Sequence, residues 1–373
     1  MGDKGAFYCN NYRNLLKQYG YTESQIKNKI DDTWDSIFFD EDLKFYFETE
    51  DKMAYITDTG NNDVRTEGMS YGMMAAVQLN QKEVFDRLWR WVKKYMYQPE
   101  GEYRGYFAWS CDLEGNKNSE GPAPDGEEYF AMALLFASNR WGDGEKPLNY
   151  SEQAKEILHE VVHKGENGSG DPMWNPDNHL IKFIPEVEFS DPSYHLPHFY
   201  ELFACWGNQE DQKFWKKAAE ASRSYLKKSC HFKTGLAAEY AEYDGSPRFE
   251  EGHGDFYSDA YRVAFNVGLD SLWFNKDPWQ KKEAYRLQSF FIDKQEYTKY
   301  SIDGKELEKP DYLHYLGLKA ANAAVSLAGE NEYTEKYIKD FWEAELRKDE
   351  RRYYDNFLYL FALLALSGKF RIY

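Results

Sequence analysis

The sequence has few cysteines and no long apolar run. Its 373 residues include four cysteines, and none has the Cys-x-x-Cys spacing of the common zinc and redox motifs. Cys205 lies in an apolar helical stretch, which predicts a buried thiol. No segment reaches the roughly 18 consecutive apolar residues that a membrane-spanning helix needs, so no membrane partner is expected.

Basic charge is also scarce. The chain has 46 Lys and Arg residues against 64 Asp and Glu residues, a formal net charge of -18. Nucleic acids and anionic membranes bind basic surfaces, so neither is expected as a partner. A neutral or cationic ligand fits this charge better.

Linkers and targeting segments are missing as well. There is no Pro/Ser/Gly-rich linker and no low-complexity tract, so residues 1–373 are expected to form a single domain that acts as a monomer. The first residues, Met-Gly-Asp-Lys, carry no apolar signal segment, which favours the cytoplasm. The alternative is an exported protein whose signal segment is absent from this chain.

Aromatic residues, in contrast, are abundant, at 18% of the chain, with 31 Tyr, 25 Phe and 11 Trp. Most Phe residues are expected to pack in the core. Tyr and Trp residues in loops, such as Trp109, Trp174 and Tyr194, are better candidates for contact with a ligand. Their rings have flat apolar faces and carry a polar O–H or N–H group, and both features suit contact with a pyranose ring.

Two kinds of predicted helix alternate along the chain. Segments 68–79, 126–139, 192–206, 257–272, 314–328 and 353–366 are apolar around most of their circumference, as in helices surrounded by protein. Segments 22–37, 82–97, 150–163, 210–228, 278–292 and 332–345 have an apolar stripe on one side only. This alternation predicts an all-α fold, a six-fold (α/α)6 barrel with an inner and an outer ring. A two-domain all-α protein or a repeat array is the alternative, although no repeat of fixed period is present.

Three carboxylates stand where a polar loop runs into an apolar helix: Glu67, Asp125 and Asp259. Most long connections lead from an outer to an inner helix, so they should emerge at one end of the barrel. The active cleft is expected there. Each acid taken singly could simply cap its helix. The three together, with aromatic neighbours, point to acid/base chemistry on a sugar.

Hydrolysis of a glycosidic bond usually needs one protonated carboxyl group and one carboxylate, about 6.5–9.5 Å apart when the configuration inverts. Glu67 is the candidate acid, since Tyr71 and its apolar neighbours and the charge of Asp125 would raise its pKa. Asp259 is the candidate base, kept ionised by Arg262 one helical turn later. Asp125 is a candidate for holding sugar hydroxyls, and residue chemistry alone leaves the roles of the two aspartates interchangeable.

Three motifs resemble glycoside hydrolase family 8: RTEGMSYGM at 65–73, PAPDGEEYFAMAL at 122–134 and SDAYR at 258–262. The resemblance covers essentially the whole chain. It implies an inverting mechanism on an (α/α)6 barrel, acting on β-1,4-linked xylan, glucan or chitosan chains.

The resemblance also implies roles for individual residues. Glu67 becomes the general acid, Asp259 the general base, and Asp125 the residue that supports ring distortion. Trp109 matches a sugar-stacking position and Arg262 a partner of the base. Tyr194 matches a residue near the nucleophilic water. Tyr71 is a further candidate for substrate binding.

Two segments narrow the expected substrate to xylo-oligosaccharides. The residues EEYF at 127–130 are similar to the xylan-active branch of the family. The loop KPDYLHYLGL at 309–318 resembles that of the reducing-end xylose-releasing exo-oligoxylanases, where a Leu-His kink closes the product end of the cleft. Tyr312 and His314 are therefore expected to bind substrate, although Tyr315 stands where a proline would be expected. An endo-β-1,4-xylanase and a non-catalytic carbohydrate-binding protein are the alternatives.

The histidines are not expected to bind metal. His195, His198, His253 and His314 form no His-x-His pair, and His198 is expected to be a hydrogen-bonded residue of an inner helix. No metal and no cofactor is predicted.

Overall fold

The computed structural model describes residues 4–166, 168–250, 252–294 and 296–373. The helices of an inner ring are α4 (Thr66–Gln78), α6 (Pro124–Trp141), α8 (Pro197–Trp206), α10 (Arg262–Trp273), α12 (Tyr315–Ala324) and α14 (Arg352–Leu366). The helices of an outer ring are α3 (Glu23–Phe38), α5 (Lys82–Trp91), α7 (Tyr150–His163), α9 (Gln212–Ser229), α11 (Trp279–Phe291) and α13 (Thr334–Glu343). Two short helices, α1 (Ala6–Cys9) and α2 (Leu15–Gln18), precede them.

The inner ring is closed. Each inner helix packs on the next, from α4 through α6, α8, α10 and α12 to α14, and α14 packs back on α4. The outer helices α5, α7, α9, α11 and α13 each pack on the inner helix that precedes them in the chain, and α3 packs on α14. The predicted (α/α)6 barrel is therefore confirmed.

The burial of the two rings follows the sequence pattern. Every residue of α14 from Tyr353 to Leu366 is buried, whereas α3 buries one stripe that includes Ile26, Ile30 and Ile37. A helix needs apolar residues on all sides only when protein surrounds it. One continuous apolar core joins both rings.

Two inner helices begin later than predicted. Pro192–Tyr194 form a separate 3-10 turn, and α8 starts at Pro197, where proline occupies the first position because its missing N–H leaves no helical bond unmade. Ser258–Tyr261 form another 3-10 turn before α10. Asp191, Tyr194 and Asp259 are thus held in or beside tight turns.

The long loops contain short strands that the sequence pattern did not predict. Strands β1 (Tyr46–Glu48) and β2 (Ala54–Ile56) form an antiparallel pair. Strands β3 (Val64–Arg65), β4 (Ser110–Cys111) and β5 (Lys117–Ser119) form a three-stranded antiparallel sheet. Strands of two or three residues are too short to produce a recognisable alternation.

Two expectations about single residues are wrong. Cys205 is exposed, because it lies in the last turn of α8 on the side away from the core. His198 is fully buried, but neither ring nitrogen has a hydrogen-bond partner among the described residues. Among all the residues that the structure describes, no helix combines the length and the apolarity that crossing a bilayer requires.

Candidate active site

The strand pair β3–β4 places Trp109 beside Glu67. Val64 pairs with Cys111 and Arg65 with Ser110, and the N–H of Thr66 donates to the carbonyl of Trp109 at 2.9 Å. Glu67 is the second residue of α4, directly after this pairing. The guanidinium of Arg65 lies 5.3 Å from the centre of the Trp109 ring, which holds the indole in position.

Two glycines allow close approaches around Glu67. A Cβ atom on Gly126, in α6, would lie 2.4 Å from Cβ of Thr66, so the start of α6 touches the start of α4 only because this side chain is absent. A Cβ atom on Gly68 would lie 2.7 Å from Oη of Tyr353. These approaches bring Asp125 and Tyr353 to Glu67.

Arg262 joins the acidic residues. Its Nη1 atom lies 2.8 Å from Oε2 of Glu67 and 3.4 Å from Oδ2 of Asp125. Its Nη2 atom lies 3.3 Å from Oδ1 of Asp259 and 3.8 Å from Oδ2 of Asp191. The predicted convergence of three rim acids is observed, and a fourth acid joins them.

The charges around Arg262 do not balance, because one guanidinium faces four carboxyl groups. Burial raises the pKa of Glu67 to about 7, and Asp125 and Asp259 add to the rise, while Arg262 and a hydrogen bond from Tyr353 oppose it. Burial likewise raises the pKa of Asp125 to about 6, against the effect of Arg262. Burial also raises the pKa of Asp191 well above its usual range. Burial and mutual repulsion therefore favour the protonated forms of Glu67, Asp125 and Asp191.

Access to the cavity distinguishes these acids. The side chain of Asp259 is 36% exposed, that of Glu67 is 16% exposed and that of Asp191 is fully buried. Glu67, Asp125 and Asp259 line a cavity of about 440 Å³, which we name the acid cavity, and Asp191 does not line it. Asp259 can contact water, Glu67 can reach a ligand in the cavity, and Asp191 acts only through its neighbours.

The turn that carries Asp259 is strained. Ser258 has φ of 26°, an uncommon conformation for a residue other than glycine. Its carbonyl accepts a hydrogen bond from the hydroxyl of Tyr354 at 3.1 Å. This turn directs Asp259 towards Arg262 at the edge of the cavity.

Aromatic rings form much of the rest of the cavity wall. The lining includes Trp109, Phe183, Tyr194 and Tyr240. The ring of Tyr194 lies 5.6 Å from the guanidinium of Arg262. Flat apolar surfaces next to ionisable groups suit a sugar ring bound beside acid/base catalysts.

A family model described as "Glycosyl hydrolases family 8" matches residues 34–368. The chain belongs to glycosyl hydrolase family 8. The resemblance found from the sequence motifs is therefore confirmed.

The similar proteins include named enzymes of this family. A reducing end xylose-releasing exo-oligoxylanase of Halalkalibacterium halodurans is 59% identical over 375 residues, 99% of this chain and 96% of the relative. The reducing-end xylose-releasing exo-oligoxylanase Rex8A of Paenibacillus barcinonensis is 55% identical over 376 residues, 99% of both chains. A solved structure of a Rex8A mutant complexed with 3(3)-alpha-L-arabinofuranosyl-xylotetraose has a TM-score of 0.98 and 54% identity, covering 100% of this chain and 99% of that one.

Three of the predicted binding residues in this family 8 chain do not line the acid cavity. Tyr71 is buried beneath it, where its hydroxyl accepts a hydrogen bond from Arg262 at 3.3 Å. Tyr312 is partly exposed and lines a separate surface cavity with Pro310 and Tyr315. His314 is buried, with Nδ1 at 3.2 Å from Oδ2 of Asp355. Tyr71 contacts the arginine of the acidic cluster, and the other two belong to the neighbouring loop.

Two residues of the cluster were not predicted. The hydroxyl of Tyr353 donates to Oε1 of Glu67 at 2.8 Å, and Asp191 lies beside Arg262. Tyr353 is the second residue of the inner helix α14, and its position at the start of an inner helix is the signal that could have identified it. Asp191 precedes Pro192 and accepts from the N–H of Ser193 at 2.6 Å, which in sequence indicates only a turn.

One group of side chains has the composition of a metal site. His159, His163 and Asp211 each offer a ligand atom, and these atoms lie within 4.8 Å of one another. The sequence has the spacing His-Glu-x-x-His at 159–163, which places both histidines on one face of α7, although no metal site was expected.

Proposed function

We propose that the protein is an inverting glycoside hydrolase that cleaves β-1,4-xylosidic bonds and releases xylose from the reducing end of xylo-oligosaccharides. The observation that carries the proposal is the arrangement of Glu67 and Asp259 on the two terminal nitrogens of Arg262. Relatives at 55–59% identity named for this activity support the choice of substrate.

In the proposed reaction, Glu67 protonates the leaving oxygen. Its pKa of about 7 leaves a substantial fraction protonated at neutral pH, and it lines the cavity. Asp259 accepts a proton from the attacking water, for which its exposure and its ion pair with Arg262 suit it. Asp125 supports distortion of the sugar ring between them, and Trp109 and Tyr194 contact the sugar.

The stereochemical part of this proposal has a direct test. Because Glu67 and Asp259 contact the two terminal nitrogens of one planar guanidinium, their contacting oxygens lie within about 8.5 Å of each other, an upper limit that is compatible with the spacing of an inverting pair. Fresh product from a β-linked xylo-oligosaccharide should then appear first as the α-anomer in proton NMR spectra. An initial β-anomer would mean retention through a covalent intermediate and would contradict the inverting assignment.

The products distinguish the proposed activity from its alternatives. Xylotriose labelled at its reducing end should yield labelled xylose and unlabelled xylobiose. An endo-β-1,4-xylanase would instead cut polymeric xylan internally and give xylobiose and larger products. A non-catalytic carbohydrate-binding protein would bind xylotriose without cleaving it.

The monomeric state and the cytoplasmic location stay predictions. Light scattering of the purified full chain tests the first. Cell fractionation with an antibody against the chain tests the second.

A further inference from the structure

His159, His163 and Asp211 form a cluster outside the acid cavity, which we name the α7 cluster. The two histidines are four residues apart on α7, and their ring centres lie 4.7 Å apart. Asp211 immediately precedes α9. His159 lines two surface cavities, and neither shares a lining residue with the cavity of Glu67. The α7 cluster is thus separate from the proposed catalytic residues.

Only one oxygen of the buried Asp211 carboxylate has a hydrogen-bond partner among the described residues. It occupies the N-cap position of α9, yet it makes no capping hydrogen bond. The side chain is only 3% exposed, and its Oδ2 atom has no hydrogen-bond partner among the described residues. A buried carboxylate oxygen without a partner is costly unless a cation or donor satisfies it.

The hydrogen bonds of His163 match those of a metal-binding histidine. Its Nε2 atom lies 2.6 Å from Oδ1 of Asp211, and its Nδ1 atom lies 2.8 Å from Oε1 of Glu166. A histidine that binds a metal usually donates its other ring N–H to a carboxylate or carbonyl, which fixes the tautomer and orients the ring. Glu166 is placed to do this for His163.

We propose that His159, His163 and Asp211 bind one divalent transition-metal ion, with Zn²⁺ as the preferred probe. Two imidazoles and one carboxylate suit Zn²⁺, Ni²⁺ or Cu²⁺, whereas Mg²⁺ and Ca²⁺ select all-oxygen sites. Binding requires Nε2 of His163 and Oδ1 of Asp211 to separate to about 3.3 Å, the spacing of two tetrahedral zinc ligands. Water completes the coordination.

The proposed site is structural. It links His159 and His163 at the end of α7 to Asp211 just before α9, so the ion ties the end of one outer helix to the start of another. Glu160, the glutamate of the His-Glu-x-x-His spacing, lies within ion-pair distance of Arg104 and Lys164. Because these ion pairs occupy the carboxylate of Glu160, it is not placed to act as the general base of a zinc site. No hydrolytic reaction is therefore assigned to this site.

The test is calorimetric titration of the full chain with Zn²⁺ after removal of metals by a chelator. Binding should saturate at one ion per chain, and excess Mg²⁺ should not compete. Saturation should raise the melting temperature by about 3 °C. His159→Gln, an exposed position, should weaken Zn²⁺ binding at least about tenfold, and Glu166→Gln should weaken it about tenfold.

His231→Gln is the matched control, since it removes a histidine outside the α7 cluster and should leave Zn²⁺ affinity unchanged. Far-UV circular dichroism and the melting temperature in metal-free buffer check that each variant folds. The proposal is overturned if the wild-type chain shows no saturable binding at one ion per chain. Wild-type affinity in both His159→Gln and Asp211→Asn would overturn it equally.

Discussion

The Nη1 atom of Arg262 lies 2.8 Å from Oε2 of Glu67, so the candidate acid is in contact with a permanent cation. That contact stabilises the carboxylate, which is the wrong form for donating a proton. Burial and the charges of Asp125 and Asp259 outweigh it and raise the pKa of Glu67 to about 7. The protonation of Glu67 therefore depends on a balance that single substitutions can shift.

Tyr353→Phe should move the alkaline limb of the kcat/KM profile to higher pH. The hydroxyl of Tyr353 donates to Oε1 of Glu67 and lowers its pKa, so removing it should raise that pKa by about one unit. The pH dependence of xylotriose hydrolysis measures this shift. Tyr359→Phe, on the same helix, removes a hydroxyl that donates to the carbonyl of Phe341 and should leave the limb in place. An alkaline limb that stays fixed or moves to lower pH in Tyr353→Phe contradicts this account of Glu67.

The stability of Glu67→Gln relative to that of the wild-type protein should increase with pH. The pKa of Glu67 rises from 4.5 to about 7 on folding. The folded state thus binds more protons between these values, and stability falls as pH rises through this window. The free energy of unfolding of Glu67→Gln minus that of the wild type should increase by about 1–3 kcal/mol between pH 4.5 and pH 8.

Denaturant unfolding at several pH values measures this difference. The change of this difference with pH is what tests the prediction, because the lost contacts of Glu67 with Arg262 and Tyr353 alter the free energy of unfolding by an amount that does not depend on pH. Glu145→Gln, at an exposed position, is the control and should show no such change. A pH-independent difference between Glu67→Gln and the wild type would mean that Glu67 titrates alike in the folded and unfolded chain.

The barrel was predictable because each helix type has its own pattern. The segment 353–366 is apolar on every side, and 82–97 has one apolar stripe, so ring position follows from composition. The rim acids were predictable because each stands in the first turn of an inner helix or in the turn just before one. Asp191 was not, since its place beside Arg262 depends on the path of a long irregular loop. The starts of α8 and α10 were shifted by 3-10 turns, which leave no periodic signal.

Substrates with a good leaving group should restore part of the activity of Glu67→Ala. An acid is needed only when the leaving oxygen is a poor leaving group, so an activated aryl xyloside bypasses the loss of Glu67. Asp259→Ala should remain inactive on both substrate types, because activation of water is still required. Turnover of xylotriose and of the activated substrate by both variants measures the difference. Equal rescue in Glu67→Ala and Asp259→Ala would contradict the assignment of their roles.

The loop before α12 is expected to limit cleavage to the reducing end, and the structure shows how it is anchored. The guanidinium of Arg347 donates to the carbonyl of Leu313 at 2.7 Å and to Asp355 at 2.6 Å. The hydroxyl of Tyr257, next to the turn of Asp259, donates to the carbonyl of Tyr312 at 2.6 Å. Tyr315, which stands where a proline was expected, is the first residue of α12. Proline is common at this helix position but is not required there.

Replacing Leu313 by Gly and His314 by Ala should loosen the loop, because it removes the contact of His314 with Asp355 and adds backbone freedom at position 313. Activity should then shift towards internal cleavage of polymeric xylan. The wild-type enzyme should act poorly on the alditol of xylotriose, because a site built to bond the free anomeric hydroxyl discriminates against a ligand without it. Lys309→Ala, an exposed change in the same loop, should keep the wild-type product pattern. Chromatography of the products from xylotriose, its alditol and long xylan measures all three. If the unmodified enzyme already yields xylobiose and larger products from long xylan, the loop does not close the cleft, and the endo-xylanase alternative stands.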